Sequence, residues 1–516
     1  MRPIELVLLL LAVVTALTVL ARRLSVPYPI VMVLGGLALS LVPGVPSFEV
    51  PPDLVFLVFL PPLLYAAGYF TSVREFRENL RSIILLAFGL VIFTTVVVAL
   101  VAHELLPAIG WPGAFALGAI VAPPDAVAAT AIFQRVGVPR RVLTILEGES
   151  LVNDATALVI YRFAIAAAAI GTFSLGEAGA SFVVVLVGGV AVGLVVGAVT
   201  KWLLAHIRDT AIAVTITLLA PFAAYLPAEA IGVSGIIATV VAGVIARRTI
   251  RLASSDTRVV ADAAWQMMIF LLNGLVFILI GLQLPTVVRG LSSDISRVAM
   301  FTAAIVIAVV VARIVWVYPG AYVPRLIPAV RRRDPFPPWQ TVFVVGWSGL
   351  RGVVSLAAAL ALPTSFPERD LILFVVFAVI LVTLVGQGLT LPLVIRALGV
   401  APTSDVSHDE THARALTTEA ALARIEELRA QWPGHAELID QLRDRYTHRA
   451  RHDEAHHEDG AAAAEQELLE HGEIRREVID AERRAALSLF ERGVINDEIL
   501  RRLERGLDLE DLRMEA

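Results

Sequence analysis

The chain of 516 residues is 57% hydrophobic and only 17% charged, with a mean hydropathy of +0.77; soluble domains carry charge on roughly a quarter of their residues, so a soluble protein is excluded and a membrane protein expected. It has no cysteine, which excludes disulfides and thiolate metal sites. The net charge of −5 is uneven: residues 1–400 hold 26 Lys+Arg against 19 Asp+Glu, and residues 401–516 hold 16 against 28. An acidic block of that kind is a separate soluble unit and makes nucleic acid an unfit partner.

In chain order, the first apolar segment, about Ile4 to Ala21, follows a single arginine and ends in Arg22-Arg23 without a small-residue cleavage pattern. It reads as a retained helix and not a signal peptide. Apolar runs of helical length then recur, broken by Pro, Gly and charge clusters. Thirteen spans are expected, centred near Val13, Gly36, Pro61, Ile92, Asp125, Leu158, Val192, Leu219, Val240, Phe277, Val309, Leu350 and Val382. Arginine placement tests that count. With the N-terminus outside and the tail inside, the inside loops collect 19 of the 26 Lys+Arg of this part, from Arg22 to Arg396. The outside segments hold four: Arg2, Arg289, Arg297 and Arg369. This asymmetry follows the positive-inside rule. Arg162, Arg313 and Arg351 fall within spans.

Thirteen divides as six, one and six, and a single intervening helix makes the second six run opposite to the first, an inverted repeat. The fifth members of the halves are then the spans around Asp125 and Leu350. Both are interrupted, the first by Pro123-Pro124 and the second by Gly346, Gly349 and Gly352. Tandem prolines cannot continue an α-helical ladder. Matched interruptions in two halves point to a transport site; two ordinary kinked helices are the plainer reading.

From about Pro402 the sequence turns polar. Glu419–Ala430 and Glu465–Leu489 show apolar residues at three- and four-residue spacing among charges, which predicts a helical tail. The tail holds eight of the ten histidines, several within His448–His457. Their interleaving with Arg, Asp and Glu lacks a metal-ligand spacing, so a solvated helix is favoured over a pH sensor or metal site.

The chemistry concentrates in Glu149-Ser150-Leu151-Val152-Asn153-Asp154. Its polar members fall at i, i+1, i+4 and i+5, one stripe of a helix. Two carboxylates at membrane depth are costly and read as functional. Burial disfavours a bare anion, so Asp154 holds either a proton or a monovalent cation, never both. That exclusion is the logic of proton–cation exchange. Asn153 and Ser150 add neutral oxygens suited to a small hard cation. Glu149 and Arg351, opposite charges near mid-membrane, are expected to form an ion pair, since buried charges are normally paired. Asp125 is placed to balance a half-helix N-terminus, with freed carbonyls at Val121 or Ala122 beside it. Glu229 reads as a solvated group near an outer helix end, Asn273 as a packing residue, and His103 as a boundary residue.

Several ordered motifs carry a family resemblance. Leu146-Glu147-Gly148-Glu149-Ser150-Leu151-Val152-Asn153-Asp154, Pro124-Asp125-Ala126-Val127-Ala128, Ser234-Gly235-Ile236 and Gly349-Leu350-Arg351-Gly352 resemble signatures of the monovalent cation:proton antiporter-1 (CPA1) family of sodium/proton exchangers. Phe59-Leu60-Pro61-Pro62-Leu63-Leu64 resembles that family's third-span motif, and the likeness runs from about residue 25 to 400. The resemblance implies a homodimeric all-α membrane protein with thirteen transmembrane helices, inverted repeats, and two broken helices that cross at Pro123, Pro124, Gly349 and Gly352. It implies ion and proton binding by Asp154, Asn153, Ser150 and Asp125, with sodium as the metal at Asp154 and Ser150, and a structural pair of Glu149 with Arg351. The Asn153-Asp154 pair implies electroneutral exchange of one sodium for one proton. One departure is Ala66, where the family commonly has a carboxylate.

The expected protein is thus a plasma-membrane secondary antiporter and not an enzyme. It has no cofactor, and its partners are sodium, protons, the bilayer and a second copy of itself. Residues 1–400 form the exchanger and 401–516 the cytoplasmic tail. Potassium/proton exchange is the alternative within this class. An intramembrane aspartyl protease using Asp125 and Asp154 is a remote one, because no Gly-Asp motif surrounds the second aspartate. A tail-driven sensor without transport is disfavoured by the matched interruptions.

Overall fold

The computed structural model describes residues 3–42, 55–170, 175–250, 253–289, 295–400, 405–455 and 477–489, with 491, 492, 494, 499, 500, 503, 506 and 507 beyond them. The described residues are helical and include no strand. Contacts divide the chain into two compact units, residues 1–402 and 403–516.

The first unit opens with α1 (Pro3–Leu24) and α2 (Tyr28–Ser40). A π-turn, Val55–Phe59, leads into α3 (Leu60–Phe70), followed by the short α4 (Val73–Glu78). The next span is α5 (Leu80–Ile84), a π-turn and α6 (Val91–Leu105). Then come α7 (Gly110–Val121), α8 (Ala126–Val136), α9 (Arg140–Ile170), α10 (Leu175–His206), α11 (Thr210–Ala230) and α12 (Gly235–Ile250). The second part holds α13 (Ser255–Arg289), α14 (Ile295–Tyr322), the short α15 (Pro328–Arg333), α16 (Trp339–Trp347), α17 (Val353–Leu360), α18 (Arg369–Leu381) and α19 (Gly388–Ala397).

Among the described residues, eight helical stretches are long and apolar enough to cross a membrane, and Tyr28–Ser40 and Leu57–Phe70 are shorter apolar helices. These spans are apolar on most faces because lipid and neighbouring helices are equally nonpolar. Close backbone approach then supplies the packing. Gly36 on α2 and Gly281 on α13 show it: a Cβ on either would overlap the backbone of the other helix. Two main apolar cores result. The larger joins α7, α9, α14 and α16 to α18, and the smaller gathers Tyr65, Tyr69 and Trp265 with small residues of α11 and α12. Tyr65 and Trp265 stack with ring centroids 5.0 Å apart, and Ala66 is buried in this apolar cluster.

Two chain breaks matter most for function. The helix ending at Val121 resumes at Ala126 after Pro123-Pro124, and the helix ending at Trp347 resumes at Val353 after Gly349 and Gly352. The breaks touch: the Asp125 amide donates to the Leu350 carbonyl at 2.6 Å.

In the second unit, α20 (Asp405–Gln431) and α21 (Ala436–Ala455) form a hairpin through a turn at Pro433–His435. Arg429–Asp440 (3.3 Å) and Arg443–Glu426 (3.7 Å) bridge it on the surface, and Ile425 and Ile439 are buried. Of the expected helix Glu465–Leu489, residues 477–489 are helical; the part before 477, like His456 and His457, lies outside the described residues.

Candidate ion-binding site

Helix α9 is long and lacks Pro in its interior, so the stripe from Glu149 to Asp154 stays in register and faces the two breaks. Glu149 and Asn153 are fully buried, Ser150 is partly buried, and Asp154 keeps 7% of its surface exposed. No group of three or more His, Cys, Asp or Glu that could hold a resident metal occurs among the described residues.

Each break exposes backbone groups that a helix would have satisfied. Asp125 caps the start of α8 by accepting from the Val127 amide at 2.8 Å, and its carboxylate also meets the Val353 amide at the start of α17. A carboxylate at two helix N-termini complements both positive ends. Gly352 permits this approach, because a Cβ there would overlap Asp125 Oδ2. Arg351 serves the opposite ends. Its guanidinium donates to the carbonyls of Val121 (3.1 Å) and Ala122 (3.5 Å), which end α7, and to that of Gly349. Its own amide donates to Thr383 Oγ1 at 3.1 Å. Asp125 thus complements the starts of α8 and α17, and Arg351 the end of α7 and the Gly349 carbonyl inside the second break.

The expected ion pair of Glu149 with Arg351 is corrected by this geometry. Glu149 is held by Arg313 of α14, at 2.6 Å from Nη1 to Oε1 and 2.9 Å from Nη2 to Oε2. The Arg313 Nε also donates to the Val345 carbonyl at 3.2 Å, at the end of α16. A two-point guanidinium–carboxylate fork satisfies both buried charges at once. Arg351 is instead committed to carbonyls. The sequence places three arginines within spans, Arg162, Arg313 and Arg351, and does not show which of them packs against Glu149, since Arg313 lies 164 residues from it. Thr383, which anchors the Arg351 backbone, carried no signal at all.

Glu229 also differs from its reading as a solvated group. It pairs with Arg162 at 2.7 Å and accepts from the Gly235 amide at 3.1 Å, tying α9 to the α11–α12 turn.

Asn153 donates from Nδ2 to the Pro124 carbonyl at 2.9 Å, which ties α9 to the first break. Its Oδ1 is buried and has no hydrogen-bond partner among the described residues. A sealed amide oxygen without a donor costs about 1–3 kcal/mol, and a cation would satisfy it. Asp154, one residue on, makes no hydrogen bond or ion pair with any described residue, and the Asp125 carboxylate lies within electrostatic range of it. The site therefore offers a free carboxylate, an unsatisfied amide oxygen and the Ser150 hydroxyl on one helix face. The neighbouring charges are already engaged.

The chain is similar to known sodium/hydrogen exchangers. The sequence model described as "Sodium/hydrogen exchanger, transmembrane" matches residues 8–397. An uncharacterized Na+/H+ exchanger of Mycobacterium tuberculosis is 34% identical over 98% of this chain and 95% of its own length. A sodium, potassium, lithium and rubidium/H+ antiporter of Bacillus subtilis is 37% identical over 76% of this chain and 61% of its own length. The fold is similar to that of the sodium proton antiporter MjNhaP1 of Methanocaldococcus jannaschii, with a TM-score of 0.59 and 16% identity over 77% of this chain and 98% of that one.

Proposed function

This chain belongs to the sodium/hydrogen exchanger family, a family of transporters and not of enzymes, and we propose that it exchanges sodium or lithium for protons at Asp154, one for one, across the plasma membrane. The observation that carries the reading is the contrast along one helix. Glu149 is locked by Arg313, whereas Asp154 is buried without a hydrogen-bond or ion-pair partner among the described residues.

In this mechanism, Asp154 takes a proton or a cation, and the two exclude each other. When sodium is bound, Asp154 supplies charge and Asn153 Oδ1 and the Ser150 hydroxyl supply neutral oxygens. Displacement of the cation by a proton completes the exchange. Asp125 and Arg351 stay with the helix ends, so the crossing keeps its shape while the site faces each side in turn. Because one positive charge leaves as one enters, the membrane potential does no net work. A net charge moved would gain about 2.3 kcal/mol per 100 mV.

The architecture we assign is thirteen spans in inverted six-helix repeats, with α1, α2, α3, α12 and the α16–α17 pair added to the eight long spans. The N-terminus is outside, the tail from about residue 401 is cytoplasmic, and a second copy forms a homodimer. The arginine asymmetry supports the orientation. Regulation of internal pH and sodium is the role that fits such an exchanger.

The test is dequenching of a pH-sensitive dye in vesicles holding the purified chain, with sodium, lithium and potassium added in turn. Sodium- and lithium-driven proton flux that is absent in Asp154→Asn supports the reading; flux retained in that variant removes Asp154 from it. The printed name of the Bacillus subtilis relative favours a second reading, in which potassium is also accepted. Equal responses to potassium and sodium would select it.

A further inference from the structure

Away from Asp154, a cavity of about 620 Å³ opens where α3 ends, bounded by Thr71, Ser72 and α4 on one side and the end of α12 on the other. Four arginines line it, Arg74 and Arg77 from α4 and Arg247 and Arg248 from α12, against one acid, Glu78. They are not equivalent. Arg74 pairs with Glu78 at 3.0 Å on the surface. Arg247 is fixed by Asp262 at 3.0 Å and lies 5.2 Å from the centre of the Tyr69 ring, whose hydroxyl donates to the same Asp262 at 2.8 Å. Arg77 and Arg248 are exposed and have no acidic partner among the described residues. Two guanidinium groups without an acidic partner among the described residues thus line one cavity, one from α4 and one from α12, with Arg247 held by Asp262 on the α12 side.

We propose that this cavity binds a phosphate-bearing anion, with Arg77 and Arg248 as the charges that recognise it and Arg247 as the fixed wall. Guanidinium forks match phosphate oxygens in geometry and charge. The cavity lies at the ends of α3 and α12, at headgroup depth for spanning helices, and basic pockets between such helices accept anionic lipid headgroups. A bilayer presents phosphodiesters there at high local concentration; a soluble phosphate carries the same chemistry. None of the lining residues belongs to the Asp154 group, so binding here is separable from ion binding.

The full-length chain in detergent, mixed with phosphatidylglycerol and examined by intact-complex mass spectrometry, tests this directly. The wild type should retain the lipid, and Arg77→Gln with Arg248→Gln should weaken retention about tenfold or more. A control pair, Arg331→Gln with Arg332→Gln, removes the same charge from exposed arginines of α15 and should leave retention unchanged. Melting temperature of each variant reports folding, and a second pair, Arg77→Lys with Arg248→Lys, keeps the charge while removing the fork. Inorganic phosphate added alone distinguishes the sources: displacement of the lipid at millimolar phosphate assigns a soluble anion, and no displacement assigns the headgroup. Equal retention by the wild type and the folded Arg77/Arg248 variants, or equal loss in the control pair, overturns the proposal.

Discussion

Arg313 grips Glu149 at two points, 2.6 and 2.9 Å, with both side chains 1% exposed. Asp154, five residues further along the same helix, has no basic partner among the described residues. One carboxylate of the stripe is thereby spent on holding α14 and α9 together, and the other remains available to exchange what it binds.

Breaking that fork leaves a buried charge alone, which costs about 3–5 kcal/mol. Arg313→Ala should therefore lower yield and melting temperature sharply. Replacing both partners, Arg313→Met with Glu149→Leu, should recover most of the loss, because apolar groups of similar volume often substitute for a buried pair. Thermal melting in detergent checks both. A double variant as unstable as Arg313→Ala would show that the fork does more than satisfy its two charges.

Gly352→Ala tests the crossing of the broken helices. The added methyl overlaps Asp125 Oδ2, and the opposing backbone is fixed by the Asp125–Leu350 hydrogen bond, so neither side can yield cheaply. Overpacking of this kind typically costs about 1–3 kcal/mol. Transport should fall with it. Gly179→Ala, which meets nothing within 4 Å, should leave both transport and melting temperature intact.

Asp334, in the loop between α15 and α16, accepts from Arg141 at 2.7 Å and Arg325 at 2.7 Å and also meets Arg81. Burial pushes its pKa up, but the hydrogen bonds and charges of Arg141 and Arg325 outweigh this and hold it below the ordinary 3.8. A depressed folded-state value contributes stability that is fully present above the ordinary value and is lost as pH falls through the folded one. Wild-type melting temperature should thus drop on acidification below about pH 4. Asp334→Asn should melt lower at neutral pH and show a shallower acid decline. Parallel acid profiles for the two proteins would remove Asp334 as a source of that dependence.

Much of the fold is legible in the sequence itself. The stripe on α9 depends only on helical periodicity, and the two breaks follow from Pro123-Pro124 and from Gly349 and Gly352, whose effects are local. Pairings across helices were not legible. Arg351 and Arg313 look alike in sequence, and only packing shows that one faces Glu149 while the other faces carbonyls left open at Val121 and Ala122. Glu229 was misread for the same reason, since Arg162 is brought to it by the fold. The unsatisfied Asn153 Oδ1 was beyond reach too, because the Pro124 carbonyl fixes which end of the amide is left over.

One-for-one exchange predicts that a potassium diffusion potential imposed across the vesicles, at fixed sodium and proton gradients, leaves the flux unchanged. The potassium used must first be shown not to be transported. A flux that rises or falls several-fold with the sign of the potential would instead require net charge movement.

The most direct measurement is proton release by the purified protein when sodium is added in weakly buffered detergent solution near the midpoint of its transport activity. Competition at one carboxylate predicts release approaching one proton per chain at saturating sodium, absent in Asp154→Asn and preserved in Gly179→Ala. Equal release from Asp154→Asn, or sodium binding by the wild type without release, would contradict it.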